Sequence, residues 1–159
     1  MKKYNIANYI RYKNDVKACQ PKEKQLHEYT EQELTHKFLP LVENIGRKFS
    51  TSQQASGVMT IMDIMQDGSL SLIKAIRRID WVKLEDSDDK EKTLKSFLSK
   101  RIKGGIRRAI DMNRGDMRIP EHKLNEIRRN AKDEKMVAMF FNSMFLSIDD
   151  KPKNTDDEE

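Results

Sequence analysis

From Leu34 onward, apolar residues recur three and four positions apart. Leu34, Phe38, Leu41, Val42, Ile45 and Phe49 form one helical stripe behind a candidate cap, Thr30. Pro40 falls inside that stripe, and because it lacks an N–H it is expected to bend or restart the helix. A loop rich in serine, threonine, glutamine and glycine separates it from a second stripe, Ile61, Ile64, Met65, Leu72, Ile73, Ile76 and Ile79, which ends near Trp81. A third stripe after Thr93 uses Leu94, Leu98, Ile102, Ile106, Ala109 and Ile110. A fourth, after Pro120, uses Leu124, Ile127, Ala131, Val137 and the Phe140-Phe141 pair. Ile6, Tyr9 and Ile10 suit a short helix near the N-terminus. No period-two run is long enough for a strand, and no internal repeat is present. The expected fold is all-α. A compact helical domain spans 31–119, with a flexible extension over 1–30, one further helix over 120–148 and a disordered acidic tail over 149–159.

Composition changes this picture chiefly through the placement of charge. The chain has 159 residues, a net charge of +5, and charged and hydrophobic shares of 36% each, as expected for one small soluble domain with polar extensions. Between Leu94 and Arg129 eleven lysines and arginines face four acids, leaving +7. The stretch before it, Leu84 to Glu91, holds Glu85, Asp86, Asp88, Asp89 and Glu91 against Lys90, and reads as a solvated connector. Beyond Ile148 the sequence is acidic and lacks apolar anchors. Cys19 is the only cysteine, and His27, His36 and His122 are too scattered for a metal cluster, so neither disulfide, metal nor cofactor is expected. Without an apolar run of membrane-spanning length or a signal peptide, the expected location is the cytoplasm, with no membrane partner.

Two segments carry residues that invite a functional reading. On the second helix Asp63, Gln66, Asp67 and Lys74 stand at i, i+3, i+4 and i+11, away from the isoleucine stripe, as a polar ridge. Such a ridge is either an ordinary solvated face or a docking surface for a basic or coiled-coil partner. A carboxylate-pair catalytic site there lacks a third acid or histidine. On the third helix Gly104-Gly105 interrupts the pattern at roughly 1 kcal/mol per glycine relative to alanine, which suggests close approach of another helix or of a nucleic-acid backbone. Lys100, Lys103 and Arg107 share one face, with Phe97, Arg101 and Arg108 on the adjacent one. A cationic helix edged by an aromatic suits a groove that tracks phosphates and stacks a base, although composition alone favours a core position for Phe97 beside Leu98.

The phrases FLPLVENIGRKF, DIMQDGSLSLIKAIRRID, FLSKRIKGGIRRAI and RIPEH, in that order and approximate spacing, resemble region two of bacterial sigma factors with the start of region three behind it. The likeness covers about residues 34 to 129, and FLSIDD is similar to the end of the first region-three segment. By this resemblance Asp63, Gln66, Asp67 and Gly68 correspond to the helix that docks on the clamp-helices coiled coil of the largest subunit of core RNA polymerase, with Lys74 on the same face. Phe97 corresponds to an aromatic that stacks on a flipped base of the minus-ten element. Lys100, Arg101, Lys103, Gly104, Arg107 and Arg108 lie on the helix that reads its upstream edge, and Arg118 and His122 face the extended minus-ten duplex. No region-four helix-turn-helix follows, as in the short sigma factors with which tailed phages redirect a host polymerase, often with a separate co-activator. The resemblance therefore implies a non-enzymatic promoter-recognition subunit whose partners are bacterial core polymerase and promoter DNA. The rivals are a sigma-like appropriator or inhibitor of polymerase and a helical DNA-binding protein that acts without it.

Overall fold

The computed structural model describes residues 6–49, 59–113, 115, 117–130 and 132–142. The expected 50–58 loop, the acidic tail and the FLSIDD phrase lie outside these residues. The described residues form seven α-helices and a short 3-10 turn, with no strand among them: α1 (Ile6–Ala18), the turn Leu26–Glu28, α2 (Glu31–Phe49), α3 (Ile61–Ile76), α4 (Trp81–Glu85), α5 (Lys90–Asn113), α6 (Glu121–Arg129) and α7 (Glu134–Asn142). The all-α expectation holds. Two compact units divide the chain, 1–110 and 111–159.

In the first unit α2 and α3 pack along each other, and α5 closes the core. Phe38, Val42 and Ile45 of α2 meet Ile64, Met65 and Leu72 of α3 and the row Leu94, Leu98, Ile102, Ile106 and Ile110 of α5, all buried. That α5 row repeats every four residues, so one narrow apolar stripe faces inward and a broad arc of the helix stays polar. Gly68 sits under this packing. A Cβ there would lie 2.7 Å from Val42 Cγ1 and 3.2 Å from Ile106 Cδ1, so the absent side chain lets three helices converge.

Two helices start with the same reciprocal cap. Thr30 Oγ1 accepts from Glu33 N at 3.2 Å while Glu33 Oε2 accepts from Thr30 N at 2.9 Å. Thr60 and Asp63 repeat the arrangement at α3. The helix does not restart at Pro40, and α2 runs through it. Proline deprives only one acceptor, the His36 carbonyl four residues back. Gln20 Nε2 donates to that carbonyl at 2.8 Å and to Val16 O at 2.9 Å, so the orphaned group is satisfied from α1's end.

The N-terminal segment, expected to be flexible with at most a short helix, forms the 13-residue α1 packed on α2. Val16 and Tyr29 are buried, Tyr9 and Tyr12 pack on the core, and the Tyr9 hydroxyl donates to the buried carboxylate of Glu43. Burial pushes the Tyr12 hydroxyl's pKa up, and the charge of Glu43 raises it further against a lowering contribution from Ser69.

The acidic connector is also shorter than expected. Asp80 caps α4, whose Leu84 is buried, and Asp89 caps α5 by accepting from Lys92 N at 3.0 Å, so α5 begins at Lys90 rather than after Thr93. The second unit contains the last turn of α5 with α6 and α7. Two helices thus stand where a single one was expected over 120–148: Asp133 N donates to Asn130 O at 2.9 Å after α6, and the Asp133 carboxylate caps α7 by accepting from Lys135 N at 3.0 Å. Leu124 and Ile127 are its buried residues, and Arg128 pairs with Asp111.

Candidate nucleic-acid interface

The polar arc of α5 follows directly from its four-residue apolar row. Lys100, Arg101, Lys103, Arg107 and Arg108 are all exposed along it, and none has an ion-pair partner among the described residues. Cations left unpaired on one rigid element form a fixed positive surface, suited to phosphates. Phe97 opens this arc and is half-buried, packing on the core while the Arg101 guanidinium lies 5.4 Å from its ring centroid. Beside the ring is a cavity of about 240 Å³ floored by Ile79, Leu84 and Leu94 and rimmed by Arg78 and Lys83. Lys83 also pairs with Asp80 at 3.0 Å, and the hydrogen bonds from Lys83 hold the Asp80 carboxyl below its ordinary pKa. Phe97 is therefore neither wholly core nor wholly exposed: it packs on the core and also lines an accessible cavity.

The glycine pair divides in the same way. A Cβ on Gly105 would fall 1.9 Å from Ser71 Oγ and 2.6 Å from Ser71 Cβ, so this glycine serves the approach of α5 to α3. A Cβ on Gly104 would meet only the Arg108 guanidinium, at 3.9 Å. Nothing in the packing requires glycine there, and its backbone faces the cationic arc.

On α3, Asp63, Gln66 and Lys74 are exposed and Asp67 is half-buried, on the outward side of the helix. The two acids differ. Asp63 Oδ2 accepts from Thr60 N at 2.7 Å and from Thr60 Oγ1 at 2.8 Å, so its carboxylate caps its own helix. Asp67 has no donor on its carboxylate among the described residues, and burial raises its pKa, with the neighbouring charge of Asp63 adding to the effect. An acceptor already half-desolvated and still unpaired is suited to a cation brought by a partner. Ile73, expected in the core stripe, is instead exposed beside Leu70, so the ridge carries two apolar residues among its polar ones. The helix drifts about 100° per residue, and by Ile73 the inward direction has passed to Leu72, Ala75 and Ile76.

Arg118 and His122 are exposed in the second unit, His122 in the first turn of α6. Arg78 at the cavity rim and the outward exposure of Leu70 and Ile73 have no signal in periodicity, which places Ile73 in the core stripe, since each is defined by what surrounds it in space. Among the described residues no three histidine, cysteine, aspartate or glutamate side chains cluster as a metal site, and no helix is long and apolar enough to cross a membrane. Compared with known proteins, the sequence matches no family model and no curated protein.

Proposed function

We propose that this chain is a sigma-like subunit that joins bacterial core RNA polymerase through the outward face of α3 and engages a minus-ten-like promoter element through α5. The observation that carries the reading is the α5 surface, where five exposed cations without an ion-pair partner among the described residues run from a half-buried Phe97 that walls a cavity. In this reading the cations neutralise the phosphates of one strand, and an unstacked base enters the cavity against Phe97, flanked by Arg78 and Lys83. Base–aromatic stacking is worth ~1–3 kcal/mol, which makes the strand-separated form the favoured ligand. Asp67 receives arginines of a partner coiled coil, with Leu70 and Ile73 supplying apolar contact at its side. Arg118 and His122 take the upstream duplex, and a co-activator remains an additional partner of the same reading.

The test is co-purification with bacterial core polymerase followed by run-off transcription from promoter templates. Stable binding with new promoter-dependent transcripts is the expected result, and Asp67→Lys should reduce binding several-fold without unfolding the protein. Binding that only suppresses transcription would identify an appropriator instead. Failure to bind any core enzyme would overturn the reading.

A further inference from the structure

A second cavity, of about 340 Å³, shares Leu84 with the first but includes none of the cations from Lys100 to Arg108. Its size falls within the range of about 300–1,000 Å³ typical of small-molecule sites. Trp81 and Glu85 line it from α4 at i and i+4, so indole and carboxylate project from the same helix face. Lys37 of α2 and Lys90 at the start of α5 line it as well. Lys37 Nζ donates to the Tyr29 hydroxyl at 3.1 Å and lies 4.4 Å from the Tyr29 ring centroid, which anchors the ammonium while leaving it donors to spare.

The other charges around the cavity are largely satisfied elsewhere. Lys24 is held by Glu33 at 2.6 Å, and Glu91 by Lys95 at 2.7 Å. Lys37, Lys90 and Glu85 have no ion-pair partner among the described residues. An aromatic platform, the Glu85 carboxylate beside it and the ammonium groups of Lys37, held by Tyr29 and within the field of Glu91, and of Lys90 together match the three parts of a nucleotide: a flat base, a hydroxylated sugar and an anionic phosphate.

We propose that this cavity binds a free ribonucleotide, with the base against Trp81, the ribose hydroxyls toward Glu85 and the phosphate between Lys37 and Lys90. A carboxylate accepts both hydroxyls of a ribose, whereas an ammonium group has only donors and suits phosphate. The site stands independently of the polymerase reading, because neither its residues nor its ligand involve α5's cationic arc or the α3 ridge.

Trp81 is the only tryptophan in the chain, so its emission reports on this cavity without labelling. Adenosine and guanosine monophosphates are titrated into the full chain, and calorimetry under the same conditions measures binding independently. Saturable quenching with matching heat is expected. Lys90→Gln should weaken affinity about ten-fold, the scale of one lost charge-assisted hydrogen bond. Glu85→Gln should narrow the preference for ribonucleotides over deoxyribonucleotides. Because Lys37 also braces Tyr29, Lys37→Gln is interpreted only beside its melting temperature, and exposed Lys90 keeps the test open if that variant unfolds. Absence of saturable binding up to millimolar nucleotide would overturn the proposal. So would binding unchanged by Lys90→Gln, or quenching by single-stranded oligonucleotides alone. Core-polymerase binding in the absence of a nucleotide response would remove this site and leave the α3 and α5 reading intact; the reverse outcome would do the opposite.

Discussion

Replacing the two adjacent glycines of α5 one at a time should move stability in opposite directions. Alanine is favoured over glycine in a helix interior by ~0.8–1 kcal/mol. At position 104 the new Cβ has only the end of a flexible Arg108 side chain near it, at 3.9 Å, so Gly104→Ala should realise that gain and raise the melting temperature by roughly 4 °C. At position 105 the same Cβ would sit 1.9 Å from Ser71 Oγ and 2.6 Å from Ser71 Cβ. Rotating the hydroxyl away forfeits its 2.8 Å bond to the Asp67 carbonyl and still leaves the Cβ clash, so α3 and α5 must part. Overpacking of this kind costs ~1–3 kcal/mol. Set against the helical gain, Gly105→Ala should lose up to about 2 kcal/mol and melt as much as roughly 8 °C lower. Adding Ser71→Gly leaves the Ser71 Cα, at 3.9 Å, as the nearest of the three atoms, and the two helix-propensity changes oppose each other in part, so the double variant should recover most or all of the parent's melting temperature. Thermal unfolding followed by circular dichroism reads all four proteins. If Gly105→Ala is as stable as Gly104→Ala, or if Ser71→Gly fails to rescue it, the steric argument is wrong. The same proteins address function: a Gly104→Ala variant that is more stable yet binds promoter DNA more weakly in the holoenzyme indicates close approach of a DNA backbone.

Other expectations follow from single contacts. Phe97→Ala should lower stability by roughly half the ~3–5 kcal/mol of a fully buried phenylalanine, since the ring is half-buried, and should also reduce open-complex formation; normal promoter opening in a destabilised variant would remove the stacking role. Lys103→Ala should flatten the dependence of log affinity on log salt by about 0.7 for single-stranded DNA, measured across several sequences, with little change in melting temperature. Burial raises the Asp67 pKa, so the folded protein binds that proton more tightly than the unfolded chain, and the charged form costs stability above the folded pKa. Asp67→Asn should therefore melt higher at neutral pH, and the gain should vanish as pH falls through the unfolded value of about 4. Gln20→Ala should cost ~0.5–1.5 kcal/mol, the net worth of a hydrogen bond to the exposed His36 carbonyl, and less in a Pro40→Ala background, where an N–H returns to that carbonyl; equal costs in the two backgrounds would refute the compensation.

The sequence by itself determined the all-α class, the apolar faces of α2, α3 and α5, and the grouping of cations on the outward arc of α5. Each of these depends on spacing along one helix, and a 3.6-residue period is visible in a string of letters. The Thr30 cap was legible for the same reason, since donor and acceptor are three residues apart. Only the tertiary structure decided how Pro40 is tolerated, because the compensating donor, Gln20, comes from a different segment. It likewise decided that Gly105 answers to Ser71 while Gly104 does not, that Ile73 faces outward, and that Tyr9, Tyr12, Leu26 and Tyr29 pack on the core. Asp63 and Asp67 look alike in sequence, yet one carboxylate is committed to Thr60 and the other is left unpaired and half-desolvated. Trp81, Glu85, Lys37 and Lys90 come from three helices and have no common period. Periodicity records which side of a helix is apolar, whereas a cavity or an orphaned acceptor is defined by atoms distant in sequence, which only packing brings together.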